Sequence, residues 1–368
     1  MSTLLTAVSR EVVPATMRAA VYLGQRRVSV ESVSAPGIGP AELLIRVESC
    51  GICHTDLKKI ENDLLPPPRI FGHETAGVVA QVGEAVEGFQ PGDRVIAFHH
   101  VPCLECYYCH RRLYAQCAVY KRVGVTAGYE PSGGGFAQYI RVLDWIARRG
   151  VEKIPDSVSF DRATFVEPVN TCLKAVVQLD PDPEETVLIL GQGAIGLLFT
   201  MLVRRRGAKV LATDTIRRRR ALACRFGAEE AWDPRGMDVA SAVRSRTNGR
   251  GADVVIVAAS APGIVGQALE CSRPGARILL FAQTSRTELI EIPGADVCVG
   301  ERTILGCYSA SIDLQRESAR LVFSGELPVQ ELISHCLPLD RIQEGFQLAL
   351  HPDEHSLKII VHPQRYSQ

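Results

Sequence analysis

Cys103-x2-Cys106-x2-Cys109-x7-Cys117 places four thiols in one short stretch. Four soft ligands at this spacing can wrap one tetrahedral Zn²⁺ and leave no coordination position open. A closed site of that kind ties down a loop and adds folding free energy rather than chemistry. His99, His100 and His110 flank it; a four-thiolate shell needs none of them, and they read as loop or packing residues. A second constellation is dispersed: Cys50-Gly51-Ile52-Cys53-His54-Thr55-Asp56, then Gly72-His73-Glu74, then Glu167-Pro168. One Cys, one His and one or two Glu could hold a catalytic zinc while keeping a position for water or substrate. Glu167 could instead cap a helix start.

A third pattern is Gly191-Gln192-Gly193-Ala194-Ile195-Gly196, which fits G-x-G-x-x-G. It follows the apolar run Val187–Leu190 and opens a helical run, the setting this fingerprint requires. Gly191 permits the tight turn, Gly193 lets backbone approach a pyrophosphate, and Gly196 allows close helix–strand packing. Gly193, Ala194 and Ile195 then stand at a helix N-terminus, whose free N–H groups and dipole favour phosphate. Asp214 ends the next strand, where a carboxylate can accept from ribose hydroxyls and repel a 2′-phosphate. NAD is therefore expected. An arginine of the run Arg217–Arg220 could reach a 2′-phosphate, which leaves NADP as the less favoured alternative; otherwise that run reads as a solvated helix face.

These groups need two kinds of scaffold. Up to about residue 180 the chain has short strand-like runs (Met17–Tyr22, Leu43–Val47, Gly77–Val82, Asp93–Phe98) separated by Gly and Pro, which predicts a β-rich, barrel-like domain. After Pro181-Asp182-Pro183 strands alternate with helices, which predicts a doubly wound parallel sheet. From about 312 come a helix (Leu314 to Phe323), further helical sequence near 340–350 and a last strand, Lys358–Val361. The expected division is an extension or arm over 1–16, a first domain over 17–180 with the cysteine lobe at about 99–120, a dinucleotide-binding domain over 181–311, and a return to the first domain over 312–368.

Composition narrows the function classes. The 368 residues suffice for two cores, and Lys plus Arg balance Asp plus Glu at 41 each. Zero net charge, with few basic residues between Cys103 and Cys117, argues against nucleic acid. No apolar run nears the length that spans a bilayer, and the first sixteen residues lack the features of a secretory signal. Twelve cysteines without such a signal point to a reducing, cytoplasmic compartment, where clustered cysteines bind metal more often than they pair.

Taken together, Cys53-His54-Thr55-Asp56, Gly72 through Val79, Gly83 through Val86, Pro91 through Val95, the cysteine lobe and the glycine turn resemble the zinc-containing medium-chain alcohol dehydrogenases, in that family's order, from about Met17 to Val361. The resemblance implies an α/β fold with a GroES-like catalytic domain and a Rossmann domain, and two zinc ions per chain. It assigns Cys53 and His73 to the catalytic zinc, with Glu74 a direct or alternating ligand. The third ligand divides the family. Glu167, where ethanol-type members have Cys, puts the chain with the sorbitol/threonine dehydrogenase branch, and carboxylate for thiolate makes the site harder and more exchangeable. The resemblance also implies a homodimer or homotetramer acting on a small alcohol or ketone, with Thr55 passing the substrate proton outward.

Two departures stand out. The family often has His five residues after the ligand Cys; here that residue is Lys58, so the relay runs through Lys58, water or Thr55 alone. The arginine with which sorbitol dehydrogenases grip a substrate hydroxyl is missing from Gly306-Cys307-Tyr308-Ser309-Ala310. The expected reaction is hydride transfer between a secondary alcohol (polyol, sugar alcohol or cyclitol) and NAD. Amino-alcohol oxidation, or preferential ketone or aldehyde reduction, are the alternatives on the same scaffold.

Overall fold

The computed structural model describes residues 12–129, 133–282 and 289–366. Residues 1–11 of the expected N-terminal arm lie outside them. The first strand, Thr16–Gly24, begins where the arm was expected to end.

The chain divides into two compact units. One runs to Glu167 and resumes at Ser311; the other spans Pro168–Ala310. The first changeover lies inside the helix Val166–Leu179, whereas the sequence placed it at 180/181, just past that helix.

In the first unit, strands follow the order Ile333–Pro338, Lys358–His362, Leu43–Gly51, Glu74–Val82, Arg94–Ala97, Val151–Lys153. Tyr139–Val142 also pairs with Leu43–Gly51. A smaller antiparallel sheet sets Thr16–Gly24 between Arg27–Ser34 and Arg69–Ile70. Leu43, Leu44, Ile45 and Val47 are all buried, so Leu43–Gly51 is an interior strand lined on both faces. Each such side chain contributes about 1.5–3 kcal/mol through burial. This strand is the spine of the site: Cys53 follows its end, and Glu74 opens the strand beside it, with Gly51 opposite Glu74.

The second unit is a six-stranded parallel sheet in the order Glu230–Trp232, Lys209–Thr213, Thr186–Leu190, Ala252–Val257, Ser272–Leu280, Thr303–Gly306. Numbered along the chain this is 3-2-1-4-5-6, the dinucleotide-binding order. Every residue of Thr186–Leu190 is buried, as a central strand covered on both faces must be. Its C-terminal end, where the sheet order reverses, carries the glycine turn.

Among the described residues no helix is long and apolar enough to cross a membrane.

Candidate active site and cofactor turn

The helix His54–Glu61 begins on Cys53, whose sulfur accepts the Thr55 N–H at 3.4 Å. A cysteine in the capping position, with Asp56 in the first turn and Lys58 and Lys59 in the last, suits the helix dipole. The cap fixes the Sγ direction. Asp56 turns inward, fully buried, and its Oδ1 lies 3.0 Å from Nδ1 of His73. That contact leaves the other ring nitrogen to face Cys53, the carboxylate–histidine arrangement that orients a metal-binding imidazole. Burial works against a charge on His73, but Asp56 and Cys53 outweigh it and hold the imidazole well above its usual pKa. Burial likewise opposes the Asp56 carboxylate, and His73 more than compensates, keeping it below the usual range.

Glu74 is buried beside them and forms an ion pair with Lys358, equally buried, whose ammonium also donates to the Ile52 carbonyl at 3.1 Å. Burial disfavours the Lys358 charge, yet Glu74 more than restores it. Gly51 makes this possible: a Cβ there would sit 2.0 Å from Glu74 Oε2 and 2.8 Å from Lys358 Cε. One donor atom each from Cys53, His73 and Glu74 lies within 4.8 Å of the others. Sulfur, imidazole and carboxylate in one group, with no fourth donor in it among the described residues, fit a zinc ion that keeps an open position.

Glu167 opens the helix Val166–Leu179 and lines a small cavity with His73, Thr75, Phe98 and Thr164. Its carboxylate is not in the three-donor group. Burial pushes it up to about 7, with His73 and Lys358 opposing and Glu74 adding to the rise. Thr55 is exposed and Lys58 half-buried on the same short helix. Asp56 and Lys358 had no role in the sequence reading. Asp56 could have been found, since it lies three residues from Cys53 and so on the same side of a helix. Lys358 carries no local signal.

The cysteine lobe is built differently. Cys103, Cys106, Cys109 and Cys117 are unpaired as disulfides, and their sulfurs converge. Sγ separations are 3.8 Å for Cys103–Cys109, 3.5 Å for Cys106–Cys109 and 3.6 Å for Cys103–Cys117. A tetrahedron with Zn–S bonds of about 2.3 Å has edges of roughly 3.8 Å, whereas a disulfide needs about 2.05 Å. The four residues fit one closed zinc site. Tyr114 fastens the lobe to the C-terminal segment, its hydroxyl 3.0 Å from both Asp313 oxygens. His99 and His100 are packing residues: ring centroids step from His73 to His99 (4.7 Å), to His100 (4.0 Å), to Tyr120 (4.9 Å). Burial depresses His100 to about 3 and His99 well below its usual value, so both rings are neutral.

In the parallel-sheet unit Gly191 has φ +93°, and a Cβ there would meet Ala259 Cβ at 2.5 Å. A Cβ on Gly196 would lie 1.9 Å from the Gly191 carbonyl oxygen. Gly193 is open by contrast, with only Arg219 Nη1 near, at 3.9 Å. It caps the helix Ala194–Arg205, whose first turn holds no acidic residue. The bare turn, the unblocked N–H groups and the adjacent guanidinium suit a pyrophosphate. The Asp214 oxygens accept the N–H groups of Gln192 (2.7 Å) and Ile216 (2.8 Å), which pins the carboxylate beside the turn. Of the arginine run expected to be solvated, Arg217 is exposed, and the expectation is corrected for Arg219 and Arg220. Arg220 turns in to the Asp214 carbonyl and Asp233, and Arg219 stands 4.0 Å from Asp214. The carboxylates at the strand ends draw both inward.

Comparison with known proteins finds a family match in each unit. Residues 39–156 match the alcohol dehydrogenase GroES-like domain, and 194–324 the zinc-binding dehydrogenase domain. An L-threonine 3-dehydrogenase of Pyrococcus horikoshii is 32% identical over 86% of this chain and 90% of its own. The chain belongs to the zinc-binding alcohol dehydrogenase family. Within the family, sorbitol dehydrogenase of Bacillus subtilis is 29% identical over 96% of this chain and 99% of its own. The alcohol dehydrogenase of Thermus sp. ATN1 superposes with a TM-score of 0.82 at 30% identity, over 94% of this chain and 99% of that one. A chain described as a zinc-binding dehydrogenase of Sinorhizobium meliloti 1021, bound to NADP, gives 0.85 at 29% identity over 95% and 100%. Family membership brings zinc, a nicotinamide cofactor and oxidoreductase activity on alcohols.

Proposed function

We propose that this family member is an NAD-linked dehydrogenase of secondary alcohols of polyol, sugar-alcohol or cyclitol type. The observation that carries the reading is the convergence of Cys53, His73 and Glu74, with no fourth donor in the group among the described residues. Cys53 and His73 hold a catalytic zinc with a carboxylate from Glu74, and Glu167 stands across the His73 cavity as the exchangeable carboxylate. Cys103, Cys106, Cys109 and Cys117 hold a second, structural zinc. When bound, zinc supplies a Lewis acid toward the alcohol oxygen, and nicotinamide supplies the hydride acceptor.

The chain's own groups do the rest. Asp56 holds the His73 tautomer and ring plane. Lys358 pairs with Glu74 and supplies a countercharge beside that buried carboxylate. Thr55, two residues from Cys53, passes the substrate proton outward, with Lys58 on the same helix as a further station. Gly191, Gly193, Ala194, Ile195 and Gly196 seat the pyrophosphate. Asp214 has lone pairs to spare beyond its two backbone bonds and accepts from the ribose hydroxyls, which favours NAD over NADP.

A second reading is oxidation of an amino alcohol. It draws on the L-threonine 3-dehydrogenase likeness at 32% identity and on the missing arginine after Gly306. NADH formation on a panel of polyols, cyclitols, 2,3-diols and L-threonine decides between them. Turnover on polyols or diols exceeding that on L-threonine is the expected result. Turnover on L-threonine alone moves the assignment to the second reading, and a metal-independent reductase acting only on enals or quinones overturns both.

A further inference from the structure

Another face of the β-rich unit gathers metal donors that alcohol oxidation leaves unused. Ile333–Pro338 and Lys358–His362 pair in parallel, with Cys336 opposite Ile360 and Pro338 opposite His362. The two-residue period of a strand therefore puts Cys336 and His362 on one face, a diagonal step apart. On the other side of Lys358–His362, Val361 pairs with Cys50, which brings Ser49 level with His362. The short helix Phe160–Ala163 packs on Leu43–Gly51 and supplies Asp161. Its Oδ1 lies 2.7 Å from His362 Nε2 and accepts the Ser49 hydroxyl at 2.5 Å, while Oδ2 is 3.7 Å from Cys336 Sγ. One donor atom each from Asp161, Cys336 and His362 lies within 4.8 Å of the others.

We propose that Asp161, Cys336 and His362 form a further transition-metal site, one that takes borderline-soft divalent ions such as Zn²⁺ or Co²⁺ and keeps a coordination position facing solvent. Sulfur, imidazole and carboxylate together select such ions over Mg²⁺ or Ca²⁺. The His362 imidazole is only 4% exposed, which fixes one ligand, whereas Cys336 is exposed, which gives the ion a way in. A Ser49–Asp161–His362 hydrogen-bond chain, with the Cys336 thiol donating to Asp161 Oδ2 at 3.7 Å, gathers all three donors around one carboxylate. A cation would take the place of the thiol proton that now lies between Cys336 Sγ and Asp161 Oδ2. With three protein ligands and one exposed, the site is exchangeable and weaker than the four-cysteine lobe. Filling it ties the last two strands to the helix that carries Asp161.

The test is a Co²⁺ titration of zinc-loaded holoenzyme cleared of loosely held metal by gel filtration. Wild type is expected to take up one further ion per chain, with a thiolate-to-cobalt charge-transfer band. Cys336→Ser, at an exposed position that does not threaten folding, loses the band and at least ~10-fold in affinity, and His362→Gln lowers affinity similarly. Added Zn²⁺ raises the melting temperature of wild type and not that of Cys336→Ser. No band in wild type, or the same band and uptake in both variants, overturns the proposal.

Discussion

The cysteine lobe and the Cys53–His73–Glu74 group, the proposed structural and catalytic zinc sites, gather their donors by opposite routes. In the lobe every ligand comes from one short loop; three of the six sulfur pairs stand 3.5 to 3.8 Å apart, near tetrahedral spacing, and all four sulfurs lie within 4.8 Å of one another. In the other group the ligands come from a helix cap and a strand start, and charged neighbours hold them: Asp56 behind His73, Lys358 behind Glu74. A loop that chelates with identical donors closes the metal off. A site assembled across strands from unlike donors leaves room for a substrate. The difference is the one between folding energy and chemistry.

That contrast predicts opposite mutational signatures. Cys53→Ser or His73→Ala should lower kcat/KM by roughly 10³-fold or more, equivalent to about 4 kcal/mol, with NAD binding nearly unchanged in fluorescence titration. Cys106→Ser should instead lower the melting temperature and the yield of folded protein, while surviving folded enzyme keeps near-normal kcat/KM. If the two signatures were exchanged, the open and closed sites would have been confused.

Lys358→Met sharpens the comparison, because only the open site depends on a distant countercharge. In protein stripped of zinc, leaving Glu74 buried and unpaired should cost about 3–5 kcal/mol in denaturant unfolding. A change below about 1 kcal/mol would mean that Glu74 is balanced by something else.

How much of this was legible beforehand follows the same division. The lobe and the glycine turn are local patterns, and their geometry is set by spacing along one segment, so residues 103–117 and 191–196 could be read directly. Cys53, His73 and Glu74 were legible as types, through motifs that resemble a family. Lys358 was not, because its ion pair arises from sheet pairing between strands near opposite ends of the chain. Glu167 was read as a ligand from its place in a motif; the helix it opens brings it to the His73 cavity but outside the converged donors. Arg219 and Arg220 were misread as solvated, since composition cannot tell which residues of a charged run face a buried carboxylate.

Smaller effects test the supporting groups. Asp56→Asn keeps the side-chain shape but loses the charge behind His73, and should reduce zinc affinity or activity by about 10–100-fold, measured by competition with a chelator. An unchanged zinc affinity would make Asp56 a packing residue. Asp214→Ala should weaken NAD by about 1–2 kcal/mol, on the order of tenfold, and raise the NADP/NAD ratio of kcat/KM. An unaltered ratio would place the ribose contact elsewhere.

The most direct measurement is zinc content per chain after gel filtration, taken together with alcohol-dependent NADH formation, for wild type and Cys53→Ser. The variant is expected to lose one of two tightly held zinc ions and its turnover while still binding NAD. A folded Cys53→Ser protein that keeps the full zinc complement and wild-type turnover would contradict it.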